Sequence, residues 1–294
     1  MRRIVITGAS GYLGTRVVDL LRYKYDVFAI VRRSVKESFE NVTYVEADLS
    51  KPWSPQELPV AVDGVIHLAQ ARDYRKFPDK ATEIFAVNTT ATALLLDYAR
   101  RAGASSFILA STGGVYGEIR DTITSATPIN PPAGDLGYYF RTKLAAEMLA
   151  HSYSGLMSIN VLRPFFIYGP GQPDDRLVGR IIDSVRTGRK IQLAGEDGIC
   201  LNPIYIDDAV DIIDALIDRP GTRVLNVAGP DAITIRYIAQ VAGEILGRVP
   251  QFEKVSHQSG RIVADHLPMA DLLARPLVEF DVGLAAAIDQ IKNQ

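Results

Sequence analysis

A tyrosine and a lysine four positions apart, Tyr139 and Lys143, are the pair of side chains in this sequence best suited to moving a proton. On a helix this spacing places both side chains on one face. A free tyrosine has a pKa of about 10 and is a poor base at neutral pH, but a neighbouring ammonium stabilises the phenolate and lowers that pKa. We therefore predict that Tyr139 exchanges a proton with a substrate oxygen. Tyr138 is not a candidate, because the residue four positions after it is Thr142.

Three glycines near the N terminus lie between a short β-branched run and a helical pattern. Glycine lets the backbone turn tightly and approach a pyrophosphate closely, and a helix N terminus supplies free N–H groups. The spacing G-x-x-G-x-x-G differs from the familiar G-x-G-x-x-G fingerprint, but its place between strand and helix still predicts a dinucleotide site. The residues predicted to contact the dinucleotide in this turn are Gly8, Ser10, Gly11, Tyr12, Leu13 and Gly14.

Two arginines, Arg32 and Arg33, follow the second predicted strand at the point where an NAD site usually has a carboxylate for the ribose 2′-hydroxyl. A guanidinium suits a 2′-phosphate, because it forms charge-assisted, forked hydrogen bonds. The pattern predicts a preference for NADP(H), with NAD(H) as the alternative. Asp48 and Leu49 end the third predicted strand, where a carboxylate would meet the adenine amino group.

Short apolar runs alternate with helical patterns through the first half of the chain, which predicts βαβ units and a parallel sheet. After Arg163 the pattern becomes rich in loops, and the stretch 253–264 is predicted to be irregular. We predict a Rossmann-type, doubly wound α/β domain over residues 1–168, to which 202–228 returns. Residues 169–201 and 229–294 are predicted to form a smaller C-terminal substrate-binding region. The main predicted helices are Tyr12–Tyr23, Ala81–Arg101, Asp135–Tyr153, Leu177–Thr187, Ile235–Leu246 and Leu284–Lys292.

Composition excludes several classes of protein. The 294 residues carry 32 Lys and Arg against 34 Asp and Glu, a net charge of −2, which is unlike a nucleic-acid-binding domain. The single cysteine cannot form an intrachain disulfide, and no apolar run is long enough for a signal peptide or a membrane span. We therefore expect a cytoplasmic protein with no nucleic-acid or membrane partner. The four histidines have no metal-ligand spacing, so no metal is expected.

Further motifs extend the pattern over nearly the whole chain: Thr7–Gly14, Val65–Ala69, Val87-Asn88, Ser111–Gly117, Tyr139–Lys143, Leu162–Pro164, Tyr168–Gly171, Ile206–Asp208 and Leu225–Val227. Together they resemble the extended short-chain dehydrogenase/reductase family. Within it, the chain is similar to the NAD(P)-dependent epimerase/dehydratase branch, which acts mostly on nucleotide sugars.

The resemblance implies a role for several residues. Thr112 matches the position of the catalytic hydroxyl that hydrogen-bonds the reacting oxygen, with Ser111 as the neighbouring alternative. Lys143 would also hold the nicotinamide ribose. Residues implied to line the cofactor are Leu68, Ala69, Gln70, Pro164 and Ile167. The family also implies a homodimer built from the two helices Ala81–Arg101 and Asp135–Tyr153, which would place Leu94 and Leu95 in an interface.

Departures from the family pattern bear on the substrate. Sugar dehydratases of this family carry Asp-Glu after the catalytic threonine, and this chain has Gly113-Gly114, which argues against 4,6-dehydration. Phe166 replaces a substrate-contacting asparagine, and Leu201 replaces a phosphate-contacting arginine. Substrate contacts are expected from Thr112, Gly113, Phe166, Arg176 and Arg261, with Arg180 a further candidate for binding an anion. Arg261 is followed four residues later by Asp265, as in a family pattern whose arginine reaches a diphosphate.

The sequence thus favours an NAD(P)-dependent oxidoreductase or epimerase acting on a nucleotide-activated sugar, with an NADPH-dependent 4-keto sugar reductase preferred. One alternative is a nucleotide-sugar epimerase with tightly bound NAD. Another is a reductase of a non-nucleotide carbonyl, which Phe166 and Leu201 would allow. A protein that binds NADP(H) without catalysis is disfavoured by the intact Tyr139 and Lys143.

Overall fold

The protein is described from a computed structural model that covers residues 1–35, 39–117, 119, 121–256 and 259–292. Two compact units are distinguished within it. Unit 1 contains residues 1–115, 129–163 and 210–225, and unit 2 contains residues 116–128, 164–209 and those from 226 onward. The segment 116–128 belongs to unit 2 although it follows directly on unit 1. The domain boundaries inferred from the sequence stay a prediction.

A seven-stranded sheet with the order β3-β2-β1-β4-β5-β6-β9 forms the centre of the fold. Five of its pairings, from β3 through to β6, are parallel. Strands β1, β4 and β5 are buried on both faces, which explains their continuous apolar runs. The expected Rossmann-type α/β fold is confirmed. The strands of this sheet are β1 Arg3–Thr7, β2 Asp26–Val31, β3 Val42–Glu46, β4 Gly64–His67, β5 Ser106–Ala110, β6 Ser158–Pro164 and β9 Arg223–Val227.

Most of the long helices begin and end close to the positions that the sequence predicts, but the last begins at Phe280 rather than Leu284, and the short helix Leu267–Ala270 is not predicted. The helices are α1 Tyr12–Leu21, α2 Ala81–Phe85, α3 Ala91–Arg101, α4 Asp135–His151, α5 Leu177–Thr187, α6 Ile206–Ile217, α7 Ile235–Leu246, α8 Leu267–Ala270 and α9 Phe280–Lys292. None of the helices in the described part of the chain combines the length and the apolar character that crossing a membrane requires.

The predicted single helix over 81–101 is interrupted by a π-helical turn at Ala86–Thr90. Asn88 within this turn is buried, accepts a hydrogen bond from the Ala71 amide at 3.0 Å and donates one to Thr142 Oγ1 at 2.9 Å. The widened turn therefore connects the segment after β4 to helix α4. A π-turn inside an α-helix commonly marks a functional site.

Histidine 67 is part of the core of unit 1. Its Nδ1 lies 2.6 Å from Thr7 Oγ1 and its Nε2 lies 3.0 Å from Thr92 Oγ1. Thr92 donates its own hydroxyl proton to the Asn88 carbonyl, so the imidazole is a neutral Nε2–H tautomer that donates to Thr92. Burial lowers the pKa of His67 to about 3, which keeps the ring uncharged.

Two sequence-based expectations are wrong in this part of the structure. Leu95 is fully buried in the hydrophobic core of unit 1, so it is not an interface residue, whereas Leu94 is exposed. The stretch 253–264 contains two strands, β11 Phe252–Val255 and β12 Arg261–Ile262, that pair with strands distant in sequence. Local patterns could not reveal these pairings.

Unit 2 contains two small sheets, β11-β7 and β10-β8-β12. Their remaining strands are β7 Ile191–Ala194, β8 Cys200–Leu201 and β10 Ile233–Thr234. Buried asparagines join the connecting segments. Asn202 donates to the carbonyls of Gly229 and Ala264 and accepts from the Ala264 amide, all within 3.0 Å. Asn226 donates to the Ile123 carbonyl and accepts from the Tyr116 hydroxyl, so it holds the segment 116–128 at its first residue and near its middle.

Candidate active site

Lysine 143 is the most unusual charged group in unit 1, because its side chain is fully buried. Its Nζ donates to the carbonyl of Ala110 at 2.9 Å and to that of Ala69 at 3.4 Å. These carbonyls stand at the carboxyl end of β5 and just after β4, the edge of a parallel sheet where ligands bind. Burial lowers the pKa of Lys143 to about 8, although Glu147 acts in the opposite direction. The Lys143 ammonium therefore releases its proton more readily than that of an exposed lysine.

Tyrosine 139 lies one turn before Lys143 on α4 and is buried. Its hydroxyl donates to Gln70 Oε1 at 2.9 Å. The ring is flanked by those of Tyr74 and Phe140, with centroids 4.8 and 5.5 Å away. Gln70 therefore holds the hydroxyl in a defined position among aromatic side chains.

Two hydroxyl groups follow β5, and the structure separates their roles. The buried Ser111 donates its hydroxyl to Glu147 Oε1. Thr112 is half-buried, and its Oγ1 accepts a hydrogen bond from the Gly114 amide at 3.2 Å, which leaves its proton available to donate. Thr112 is therefore better placed than Ser111 to hydrogen-bond an added oxygen.

A buried ion pair lies one turn further along α4. Arg163 at the end of β6 donates from Nη2 to Glu147 Oε2 at 2.6 Å and from Nε to Oε1 at 3.1 Å. Both side chains are less than a tenth exposed. Because Ser111 also donates to Glu147, the carboxylate accepts hydrogen bonds on both oxygens and holds the strand–loop junction before Thr112 in place.

Glycine 114 is held against an aromatic ring. A Cβ atom added there would lie 2.1 Å from Cε1 of Phe140, well inside contact distance. Any side chain at position 114 would have to displace that ring. Sugar dehydratases carry a carboxylate at this position. In this chain the packing of α4 against position 114 requires a glycine there.

The glycine-rich turn has the geometry that a pyrophosphate requires. Gly8 adopts a φ of +68°, and a Cβ there would lie 2.8 Å from the Ala69 nitrogen. A Cβ on Gly14 would lie 2.1 Å from the Gly8 carbonyl oxygen, so the turn and the first turn of α1 need both glycines. Helix α1 begins after Gly11 with no side-chain cap and no acidic residue in its first turn, which leaves amides and a positive dipole for an anion. The residues fit a dinucleotide.

The remaining predicted cofactor residues of unit 1 lie along the same strand ends. Arg32 and Arg33 are exposed after β2. Asp48 is half-buried, and hydrogen bonds from the hydroxyl and amide of Ser50 hold the pKa of its carboxyl below the usual value. Half-buried or exposed positions are also found for Ser10, Tyr12, Leu13, Leu49 and Leu68, whereas Ala69 is buried.

Candidate substrate residues in unit 2 are more scattered. Arg176 is exposed and precedes α5, and Arg180 is exposed on that helix. Arg261 is exposed on β12, with its Nη1 3.4 Å from Cys200 Sγ. Phe166 has a φ of +50°, a left-handed conformation that is strained for a bulky side chain. Pro164 and Ile167, both predicted to lie near the nicotinamide, and Phe166 itself are half-buried, and Gly113 in unit 1 is buried.

Sequence reasoning missed several residues of this site. Glu147 could have been found, because it continues the four-residue spacing of Tyr139 and Lys143 along one helix face. The contact between Phe140 and Gly114 had no local signal. Among the described residues no group of three or more His, Cys, Asp or Glu side chains is arranged to hold a metal ion. His257 lies outside the described residues.

Comparison with known proteins places the chain in a family. Residues 4–228 match the model of the NAD dependent epimerase/dehydratase family. The chain belongs to this family, which confirms the resemblance seen in the sequence.

Individual relatives are distant but match over most of their length. A UDP-glucuronate 4-epimerase of Thermodesulfobacterium geofontis is 26% identical over 267 residues, which cover 83% of this chain and 80% of the relative. A dTDP-glucose 4,6-dehydratase of Streptomyces griseus is 27% identical, with 97% of this chain and 92% of the relative covered. The solved structure of MoeE5 in complex with UDP-glucuronic acid and NAD is 25% identical with a TM-score of 0.86, and 99% of each chain is covered. The chain is thus an enzyme of the nucleotide-sugar branch, as the sequence indicated in outline.

Proposed function

We propose that the protein is a nucleotide-sugar 4-epimerase that uses NAD. The observation that carries the proposal is the buried Lys143 one helical turn from Tyr139, in a chain where Gly113 and Gly114 follow Thr112 in place of the carboxylates of a dehydratase. The names of the relatives agree with it, because a UDP-glucuronate 4-epimerase and a complex with UDP-glucuronic acid and NAD are among them. This favours epimerisation over the 4-keto sugar reduction that the sequence had placed first.

The proton-transfer residues act as a unit in this proposal. Tyr139 takes the proton of the sugar hydroxyl as the carbon is oxidised and returns a proton when the carbon is reduced. The Lys143 ammonium stabilises the phenolate across one helical turn, and Thr112 donates its hydroxyl to the reacting oxygen. When bound, the nicotinamide supplies the reversible acceptor for a hydride from the sugar carbon.

The hydrogen bond between Tyr139 and Gln70 has to be exchanged in the first half of this cycle. Because the Tyr139 hydroxyl donates to Gln70 Oε1, this bond favours the protonated phenol and must be exchanged before the tyrosine accepts a proton. Binding of the cofactor and the sugar between the sheet edge and α4 would supply the competing partner.

Dehydration is disfavoured by the packing as well as by the sequence. The Phe140 ring occupies the space that a side chain at position 114 would need. A leaving hydroxyl therefore has no carboxyl group from that position to protonate it. This separates the proposed activity from that of the dTDP-glucose 4,6-dehydratase relative.

The diphosphate of the substrate would be bound by cations of unit 2. Arg261 and Arg176 are exposed and carry permanent charge, as recognition of a diphosphate requires. Phe166 would contact the sugar in place of the asparagine of the family pattern.

A reductase that uses NADPH is the second candidate, and the exposed Arg32 and Arg33 favour it. The two activities differ in their cofactor: an epimerase recycles a tightly held NAD, whereas a reductase consumes one NADPH per turnover. A small carbonyl substrate would replace the nucleotide sugar if no nucleoside diphosphate binds.

The helices α3 and α4 also support a homodimer. Met148 is 74% exposed on α4, next to the exposed Leu149, and Phe85 and Leu94 are exposed on the helical segment that packs against α4. Apolar side chains on two neighbouring helices suit a four-helix interface with a second copy. Light scattering should give twice the mass of the 32.2 kDa chain, and Met148→Glu should shift it to the monomer.

The single cysteine suits the reducing cytoplasm, which we propose as the location of the protein.

The direct test is incubation of the purified protein with NAD⁺ and either UDP-glucuronic acid or UDP-glucose, followed by proton NMR of the sugar. The C4 epimer should appear, and Tyr139→Phe should slow its formation about 10²- to 10⁴-fold without altering the circular dichroism spectrum. Calorimetric titration with UDP, dTDP, GDP and CDP would identify the base. Turnover only with added NADPH, or binding of none of the four nucleotides, would contradict the proposal.

A further inference from the structure

The loop after β2 lacks the carboxylate that usually selects NAD, but a carboxylate reaches the same place from the neighbouring strand. Glu46 ends β3, which runs parallel to β2 with Glu46 opposite Val31. Its Oε2 accepts a hydrogen bond from the backbone amide of Ser34 at 3.0 Å. Ser34 is twenty residues after Gly14, at the separation where dinucleotide-binding folds place the acidic residue for the ribose.

From this contact we propose that Glu46 selects NAD over NADP. The inference rests on the proposed function only in requiring that the glycine-rich turn binds a dinucleotide. It assigns a residue that no motif identifies, because Glu46 precedes Asp48 within an ordinary strand pattern.

The chemistry of the contact supports the selection in two ways. A carboxylate can accept hydrogen bonds from ribose hydroxyls, as the usual residue at the end of the second strand does. A 2′-phosphate at the same place would bring up to two negative charges towards that carboxylate and would compete with it for the Ser34 amide. Both effects lower the affinity for NADP relative to NAD.

The two arginines of the loop attract a 2′-phosphate and so oppose this selection, but solvent and nearby carboxylates weaken that attraction. Arg32 and Arg33 are exposed, so solvent and salt screen their charge. Arg32 also interacts with Asp48, whose carboxyl pKa it helps to lower. Glu46 and Asp48 therefore bring two negative charges to the strand ends beside the two positive charges of the loop.

Binding of NAD⁺ and NADP⁺, measured separately by calorimetry, tests the proposal without an activity assay. The wild-type protein should bind NAD⁺ more tightly, and Glu46→Gln should move the ratio of the two dissociation constants about tenfold towards NADP⁺. Glu253→Gln is the matched control, because it removes the same charge from an exposed strand position in unit 2 and should leave the ratio unchanged. Glu46 is exposed, so its replacement should not affect folding.

Two results would overturn the proposal while leaving the dinucleotide site intact: tighter binding of NADP⁺ by the wild type, or a ratio that Glu46→Gln changes by less than a factor of about two. Adding Arg32→Ser and Arg33→Ser to Glu46→Gln should reverse the gain in NADP⁺ affinity, and persistence of the gain would also contradict the inference. Failure of the wild type to bind either nucleotide would refute the dinucleotide site itself, and with it both proposals.

Discussion

The two compact units hold their buried polar groups in different ways. Unit 1 buries ionised groups beside the proposed chemistry: Lys143 on two backbone carbonyls, and Glu147 bonded to Arg163 and Ser111. Unit 2 uses the neutral amides of Asn202 and Asn226 to join segments, and its buried carboxylate Asp208 is paired with the partly exposed Arg275. The comparison indicates that unit 1 gathers its buried charges around the proposed proton transfer, whereas unit 2 fastens its segments both with neutral amides and with the buried carboxylate of Asp208.

The largest expected effect on stability comes from breaking the ion pair of unit 1. Glu147→Ala would leave the buried charge of Arg163 without the carboxylate that pairs with it, at a cost of about 3–5 kcal/mol in the free energy of unfolding. Urea titration measures this cost. Asp97→Ala removes a half-buried carboxylate that pairs with the exposed Arg100 and Arg101 and should cost about 1 kcal/mol or less. Equal losses of unfolding free energy in the two variants would contradict the prediction that the buried ion pair contributes more to stability than the surface pairs.

A second test sharpens the contrast through pH. Because burial lowers the pKa of Lys143 from 10.5 to about 8, the unfolded chain binds a proton between these values that the folded chain has released. Stability from this group therefore rises with pH across that window, by about 3 kcal/mol in full. Lys143→Met should lack this rise, and the exposed Lys190→Met should retain it. Parallel profiles of stability against pH for all three proteins would contradict the lowered pKa of Lys143.

The amide network of unit 2 should be weaker than the ion pair. Asn202→Ala leaves the Gly229 carbonyl and both backbone groups of Ala264 without their partner, at an expected cost of about 2–3 kcal/mol. Thermal and urea unfolding of this variant should be compared with those of the exposed Asn130→Ala, for which a change within about 0.5 kcal/mol is expected. A loss as large as that of Glu147→Ala would remove the distinction between charged and neutral groups.

The smallest effect concerns a buried group of unit 1 that stays neutral. The pKa of His67 is held at about 3 in the folded state, so the unfolded chain alone gains a proton as pH falls below 6.5. This lowers stability by about 2 kcal/mol between pH 6.5 and 5. His67→Gln should flatten the acid limb of the stability profile, and His151→Gln, on the exposed end of α4, should leave it unchanged. An identical acid limb in all three proteins would contradict the neutral assignment.

The sequence predicted those parts of the molecule that repeat a local pattern. Periodicity located α5 and α7 to the residue, and the glycine spacing identified the turn before α1. The local sequence pattern could not reveal that the 81–101 helix widens at Asn88, because Asn88 forms its hydrogen bonds with segments elsewhere in the chain. Glu46 escaped notice for the same reason, since its partner Ser34 lies on a different element.

The contact between Gly114 and Phe140 constrains how this chain could change its activity. A carboxylate introduced at position 114 alone would strike the ring, and shrinking the half-buried Phe140 alone would remove its packing against Tyr139. Each single step is therefore costly, while the two together are compatible. Conversion of this active site to that of a dehydratase by single substitutions would therefore pass through a destabilised intermediate. If position 114 changes first, the intermediate has a steric clash; if Phe140 changes first, it lacks the packing of the ring.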